Sequence, residues 1–438
     1  MNENQPRKEL SLVDSTSLIV GIIIGVGIYQ MTPDIAKGAG SGGGLLLLWV
    51  AGGLLSLCGA LGYAELASAY PHQGGDYVYL GRAYGRWAGF LFAWVQLVIV
   101  RPGDIAVMAF AFATYARAAF GIETGWAQRA LAAAAVLAVT GINVLGVRQG
   151  KWTQNLLTAF KAMGLLAIFT VALVAPPEKP AVVEVTPLPL SLALIFVLFT
   201  FGGWNEMAYV AAEVRHPQRN LVRALVRGTV AVTALYLLAN VAFLRALGYA
   251  GVANSKAVAS DTIAAAFPDL GAKLISALVC VSALGALNGL VLTGARISYA
   301  VGADHRVFRR LGAWDARRST PVPALLLQGL IAVVLIVALG SFMDAVLYTA
   351  PAVYSFFLGT TLAVVILRRK DPARPRPYRV TWFPLPTVVF SVVCGWLIYS
   401  SVAYKPWIAL AALGVALLGL PVYRYSVRQA DGSVPERG

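Results

Sequence analysis

Two short stretches concentrate the residues whose types and spacing suit binding chemistry. One is Ile22-Ile23-Ile24-Gly25-Val26-Gly27-Ile28; the other is Phe199-Thr200-Phe201-Gly202-Gly203-Trp204-Asn205-Glu206. Each sets paired glycines inside a long apolar run. Glycine costs up to ~1 kcal/mol in a soluble helix interior, so these are places where a helix is expected to open. Close helix packing through small residues is the competing reading. An opened helix in hydrocarbon leaves N–H and C=O groups bare, each at several kcal/mol unless a ligand or polar cavity satisfies them. An amino acid carries the matching pair of groups. Amides near Gly25, Val26 and Gly27 suit its carboxylate, helped by the half-helix dipole. Carbonyls of Ile23, Phe199 and Thr200 suit its ammonium. Gly202 and Gly203 leave room beside such a ligand, and Asn205 is placed to donate to it or to hold the opened backbone.

Other ionisable residues inside apolar runs need an account, because a charge at a helix centre costs at least ~2.5–3.5 kcal/mol. Lys161 lies well within Leu156-Leu157-Thr158-Ala159-Phe160-Lys161-Ala162-Met163. It either snorkels, holds neighbouring carbonyls, or titrates because burial lowers a lysine pKa. Glu206 either pairs with a buried group, attracts a cationic side chain or responds to pH. Glu65 and Glu213, near helix ends, read as partners of nearby arginines, and Arg101-Pro102 as a structural interruption. Asn288, Tyr348 and Tyr354 are cavity candidates, though aromatic residues in such helices more often pack. The three histidines have no metal-ligand spacing, and neither H-E-x-x-H nor G-x-S-x-G occurs. No catalytic residue, metal site or cofactor is therefore expected. Cys58, Cys280 and Cys394 lie in apolar stretches without spacing motifs and read as free thiols.

The elements that must position these residues follow from composition. The chain has 438 residues, 58% hydrophobic and only 13% charged, with a net charge of +15. A charged share about half that of soluble domains excludes a soluble enzyme and a disordered chain. Twelve apolar runs of spanning length fall at about 15–36, 45–69, 86–116, 128–147, 153–174, 189–214, 221–245, 273–301, 322–340, 343–367, 382–403 and 406–424. Runs apolar on every face favour membrane helices. With the N-terminus inside, 24 of the 35 Lys and Arg fall in inner segments and 8 in outer ones, with Arg101, Lys161 and Arg296 within spans. That bias puts both termini in the cytoplasm of a multi-pass protein of the cell membrane. The basic run from Arg368 to Arg379 suits anionic headgroups rather than nucleic acid. The breaks fall in spans 1 and 6, equivalent positions if spans 1–5 and 6–10 are two repeats, and paired interruptions point to a transporter site. Spans 3 and 8, both near 30 residues, fit the same pairing. The expected organisation is a segment at 1–14, a first repeat at 15–174, a second at 189–367, two further spans at 382–424 and a tail at 425–438.

Several motifs resemble one family. Gly21-Ile22-Ile23-Ile24-Gly25-Val26-Gly27 resembles the unwound segment of the amino acid–polyamine–organocation superfamily. Gly62-Tyr63-Ala64-Glu65-Leu66, then Gly74-Gly75-Asp76-Tyr77-Val78-Tyr79-Leu80, are similar to its L-type amino acid transporter branch. So are Ile99-Val100-Arg101-Pro102, Phe201-Gly202-Gly203-Trp204-Asn205, and Glu213-Val214-Arg215-His216-Pro217-Gln218-Arg219-Asn220-Leu221. The resemblance implies an all-α, leucine-transporter-like fold of twelve membrane helices. Ten form a five-plus-five inverted repeat with helices 1 and 6 broken, and two are peripheral. It implies alternating access, a 1/2/6/7 bundle moving against a scaffold, and sodium-independent exchange of neutral L-amino acids. A proton- or sodium-coupled symporter on the same fold is the alternative. The aromatic position that covers substrate carries over to Phe199, and the basic position that stands in for a bound sodium ion to Lys161. Members that need a glycoprotein partner carry a cysteine in the loop between spans 3 and 4; residues 118–128 have none, so a disulfide-linked heavy subunit is not expected. Phe199 and Trp204 favour small or medium apolar side chains, while Glu206 argues the other way.

Overall fold

The computed structural model describes residues 11–70, 75–122, 124–145, 169–170, 184–205, 214–265, 267, 270–315, 317–318 and 320–431. Its principal helices, in chain order, are α1 (Leu12–Ile23), α2 (Gly27–Gln30), α3 (Thr32–Ala39), α4 (Gly42–Ala69), α5 (Asp76–Tyr84), α6 (Arg86–Val95), α7 (Arg101–Phe120), α8 (Gly125–Leu145), α9 (Leu190–Thr200), α10 (Pro217–Asn254), α11 (Val258–Ala264), α12 (Leu270–Asp304), α13 (Val322–Leu339), α14 (Phe342–Lys370), α15 (Leu385–Tyr404), α16 (Pro406–Leu417) and α17 (Gly419–Asp431). Among the described residues there is no strand, only one isolated bridge between Asp315 and Thr320. The fold is that of an all-α polytopic membrane protein.

Nine helical segments among the described residues are long and apolar enough to cross a membrane. They match nine of the twelve expected spans. Of the other three, the first is divided into α1, α2 and α3; the fifth lies almost wholly outside the described residues. The sixth begins as the 11-residue α9 and passes out of them at 206–213. The third span runs unbroken from Arg86 to Phe120, 35 residues. Its middle, Gln96–Val100, is a π-helical turn in which the Arg101 amide reaches back to the Gln96 carbonyl. That turn absorbs Pro102, which has no N–H to give. The seventh span is longer than expected, because the chain turns at Gly248 (φ 65°, ψ 173°) and then continues helically to Asn254.

The helices sort into two compact units, each assembled from three stretches of chain. The first comprises Met1–Gly89, Ile168–Ala266 and Val353–Ala403; the second comprises Phe90–Ala167, Phe267–Ala352 and Tyr404–Gly438. The division passes through α14 just beyond Pro351.

Within the first unit, α4 packs against α9 and α10. Apolar surfaces gain nothing by meeting in lipid, so association relies on close contact. Consecutive glycines provide it: a Cβ on Gly52 would strike Val197 of α9, and one on Gly53 would strike Thr233 of α10. Gly228 of α10 likewise lies against Ile19 of α1. The second unit uses the same device. Gly103 of α7 meets Thr349, Gly294 of α12 meets Gln328, and Gly329 of α13 meets Thr140 of α8. There the polar side chains also meet one another. The buried Asn143 amide donates to Asn288 Oδ1 at 2.7 Å, and Gln328 Nε2 donates to the Val291 carbonyl at 3.1 Å.

Candidate functional site

The site is built from the two backbone breaks in the first unit. The first falls at Ile24–Val26, between the end of α1 and the start of α2. Hydrogen bonding resumes when the Tyr29 and Gln30 amides reach the Val26 carbonyl, both at 3.0 Å. The second follows Thr200, where α9 gives way to turns at 201–205; the Gly202 amide folds back onto the Phe199 carbonyl at 2.9 Å. Gly203, at φ 109°, continues the departure from helical backbone.

A residue from a third helix joins the breaks. Tyr236, in the middle of α10 and fully buried, donates its hydroxyl to the Ile23 carbonyl at 2.8 Å. The same hydroxyl lies 3.2 Å from the Thr200 carbonyl. One phenol therefore serves the last carbonyls of α1 and α9, groups that lose their helical partners when the chain opens. Each carbonyl keeps a second lone pair. The Tyr236 ring is fixed by Trp49 of α4 and by Phe201, with centroid separations of 5.1 and 5.3 Å. The two breaks also touch directly: a Cβ on Gly27 would stand 3.0 Å from Thr200 Oγ1. Thr200 Oγ1 itself donates to the Phe196 carbonyl at 2.8 Å.

Most of the residues singled out in sequence converge here. Ile23, Val26, Gly27 and Thr200 are buried, while Gly25, Phe199, Gly202 and Asn205 are partly exposed. Phe199 differs from Phe196 and Phe201, both closed off in the interior. Lys161, Glu206 and Glu213 lie outside the described residues. Trp204 is turned into the interior. Its indole is buried against Tyr63, Phe357 and Phe390, at 5.0, 5.2 and 6.0 Å between centroids. Of the other cavity candidates, Tyr354 donates to the Ile195 carbonyl at 3.0 Å, Asn288 is the partner of Asn143, and Tyr348 is buried. Tyr236 was missed in the sequence. A lone hydroxyl in Thr233-Ala234-Leu235-Tyr236-Leu237-Leu238 looks like any packed aromatic residue, and its only hint was the need of a phenol in lipid for an acceptor.

A second polar focus lies at the far end of α4. The Glu65 carboxylate, 1% exposed, receives Arg368 Nε at 2.7 Å and Nη2 at 2.5 Å, and the Val380 amide at 2.7 Å. Arg376 stands 3.7 Å away. Glu65 thus has the arginine partners expected of it and straps the segment after α14 to α4. Nearby Asp76, at the start of α5, accepts from the Tyr63 hydroxyl and, at 2.6 Å, from Thr360.

The chain matches the family described as amino acid permease over residues 10–418. It is 32% identical to the human b(0,+)-type amino acid transporter 1 over 434 residues, covering 95% of this chain and 87% of that one. It is 31% identical to the mouse large neutral amino acids transporter small subunit 2 over 441 residues, covering 95% and 80%. The rabbit b(0,+)-type transporter 1 is 32% identical over 385 residues, 84% of this chain and 78% of that one.

Proposed function

Since this chain belongs to the amino acid permease family and is an amino acid transporter rather than an enzyme, we propose that it exchanges neutral L-amino acids across the cell membrane, independently of sodium, by alternating access. Both termini are cytoplasmic, twelve helices cross the bilayer, and the chain works without a disulfide-linked heavy subunit.

The observation that carries the reading is the Tyr236 hydroxyl at hydrogen-bond distance from both Ile23 and Thr200 carbonyls. Two breaks more than 170 residues apart in sequence are held within the span of one small zwitterion. The substrate carboxylate takes the amides of Gly25, Val26 and Gly27, at the start of the helical run continued by α3. Its ammonium takes the free lone pairs on Ile23, Phe199 and Thr200. Phe199, the partly exposed aromatic of α9, closes over the substrate, and Gly202 and Asn205 border its side chain. Lys161 occupies the position of a coupling cation, and Glu206 tunes side-chain preference. That α1–α4, α9 and α10 gather in one compact unit, together with α5, α11 and α15, supports their moving as one body.

Reconstitution into liposomes with a panel of labelled amino acids tests the reading. Uptake should require internal amino acid and be indifferent to sodium. Uptake into empty vesicles that needs an imposed sodium or proton gradient would overturn exchange in favour of symport. Replacing Lys161 with Ala should alter transport kinetics; unchanged kinetics at every sodium concentration and pH would remove its role.

A further inference from the structure

The basic run at the end of α14 and just beyond it is not uniform. Arg368 and Arg376 turn inward: Arg368 is bonded to Glu65, and Arg376 Nη2 donates to the Leu367 and Asp371 carbonyls at 2.7 and 3.0 Å. Lys370 and Arg374 turn the other way. With Arg82 of α5 they line an open cavity of about 350 Å³, completed by Asp371, Pro372 and Ala373. That volume is at the lower end of small-ligand sites.

The cations there are positioned. The Arg82 and Arg374 guanidiniums lie 5.0 and 5.1 Å from the centroid of one ring, that of buried Tyr70. Arg374 Nε donates to the Ala69 carbonyl at 2.9 Å, and Lys370 Nζ to the Ala83 carbonyl at 2.8 Å. Each of these bonds leaves further donors on its side chain. The one carboxylate in the lining, Asp371, already accepts the Tyr70 hydroxyl at 2.8 Å. Three cations against one engaged carboxylate leave a surplus of two positive charges around the opening. Guanidinium forks match phosphate oxygens, and an ammonium adds a point charge. The surroundings suit a lipid. Trp87, 45% exposed, seats its indole N–H on the Tyr84 carbonyl at 2.9 Å, next to the carbonyl that Lys370 holds. Exposed tryptophan beside a charged rim marks headgroup depth.

We propose that Arg82, Lys370 and Arg374 form a binding site for a phosphate ester, supplied by the headgroup of an anionic phospholipid. Occupancy would neutralise the cations that fasten the ends of α4 and α5 to the segment after α14. The site is independent of the transport reading above and of which leaflet it faces.

The test is native mass spectrometry of the full-length protein released from phosphatidylcholine nanodiscs with graded phosphatidylglycerol. The wild type should retain phosphatidylglycerol. Arg82→Gln and Lys370→Gln should each weaken retention about five-fold, the worth of one cation at a charged surface. Arg369→Gln, an exposed neighbour outside the cavity, should leave it unchanged. Lys370→Gln decides the matter if Arg82→Gln fails to fold. Competition by millimolar glycerol 3-phosphate, abolished in Arg82→Gln, would keep the site and transfer its source to a soluble ester. Equal retention by the wild type, Arg82→Gln and Lys370→Gln would overturn the proposal.

Discussion

The two compact units differ in how much of their buried polarity lies on the backbone. The first opens its backbone at Ile24–Val26 and after Thr200, and serves the released carbonyls with one tyrosine hydroxyl. Among the described residues of the second, α7, α8, α12 and α13 run unbroken, with a π-turn at Gln96–Val100 before α7, and side chains bond across helices, Asn143 to Asn288 and Gln328 to the Val291 carbonyl. Backbone polarity at an opening is available to a visiting ligand. A side-chain hydrogen bond between helices is structural glue, worth about 0.6 kcal/mol per contact in membranes. On the proposed reading, the opened backbone offers its groups to a substrate, and the interhelical side-chain bonds hold their helices together.

The largest expected effect breaks the Glu65 strap on the first unit. Glu65→Ala leaves Arg368 and the Val380 amide without their acceptor. Removing one member of a buried pair costs about 3–5 kcal/mol, reduced here because Arg368 is partly exposed. A thermal-shift assay should show the greatest loss of stability of the variants named here, and Glu65→Gln a smaller one. Next, Gly27→Val places branched carbon against Thr200, whose atoms already lie 3.0–3.3 Å from an added Cβ. Overpacking costs about 1–3 kcal/mol. Here it falls on the opening, so substrate binding by scintillation proximity should vanish while the protein stays monodisperse. Wild-type affinity in that variant would remove the first break from the site.

Tyr236→Phe sharpens the comparison, because the ring packing is kept and only the hydroxyl is lost. Leaving two carbonyls short of a donor corresponds to about 1–3 kcal/mol. Exchange in liposomes should slow roughly ten-fold, with a smaller change in melting temperature. Asn143→Leu gives the smallest effect, near the 0.6 kcal/mol of an average membrane contact. It should leave substrate affinity untouched. A large loss of affinity there would erase the functional distinction between the units.

Much of this was legible in the residues. The apolar runs named nine of the membrane helices, all but the seventh to within a few residues, because a bilayer demands ~20 apolar residues per crossing. The break glycines marked the segments where the helices open, because glycine is costly in a helix interior. The packing of Trp204 was not legible: the turn sends its ring into a cluster with Tyr63 and Phe390, residues distant in sequence. The polybasic run was read as one feature, yet Arg368 and Arg376 point to Glu65 while Lys370 and Arg374 line a cavity.

By itself the sequence determined the solvent, the helical class and the two places where helices fail. These depend on local composition and on the cost of bare backbone in lipid. Only the tertiary structure decided which groups meet at those places. That Tyr236 reaches both Ile23 and Thr200, and that Gly27 rests on Thr200, depends on how three helices distant in sequence pack. No local pattern encodes that packing, because in lipid every apolar face of a helix looks alike until its neighbours are in place.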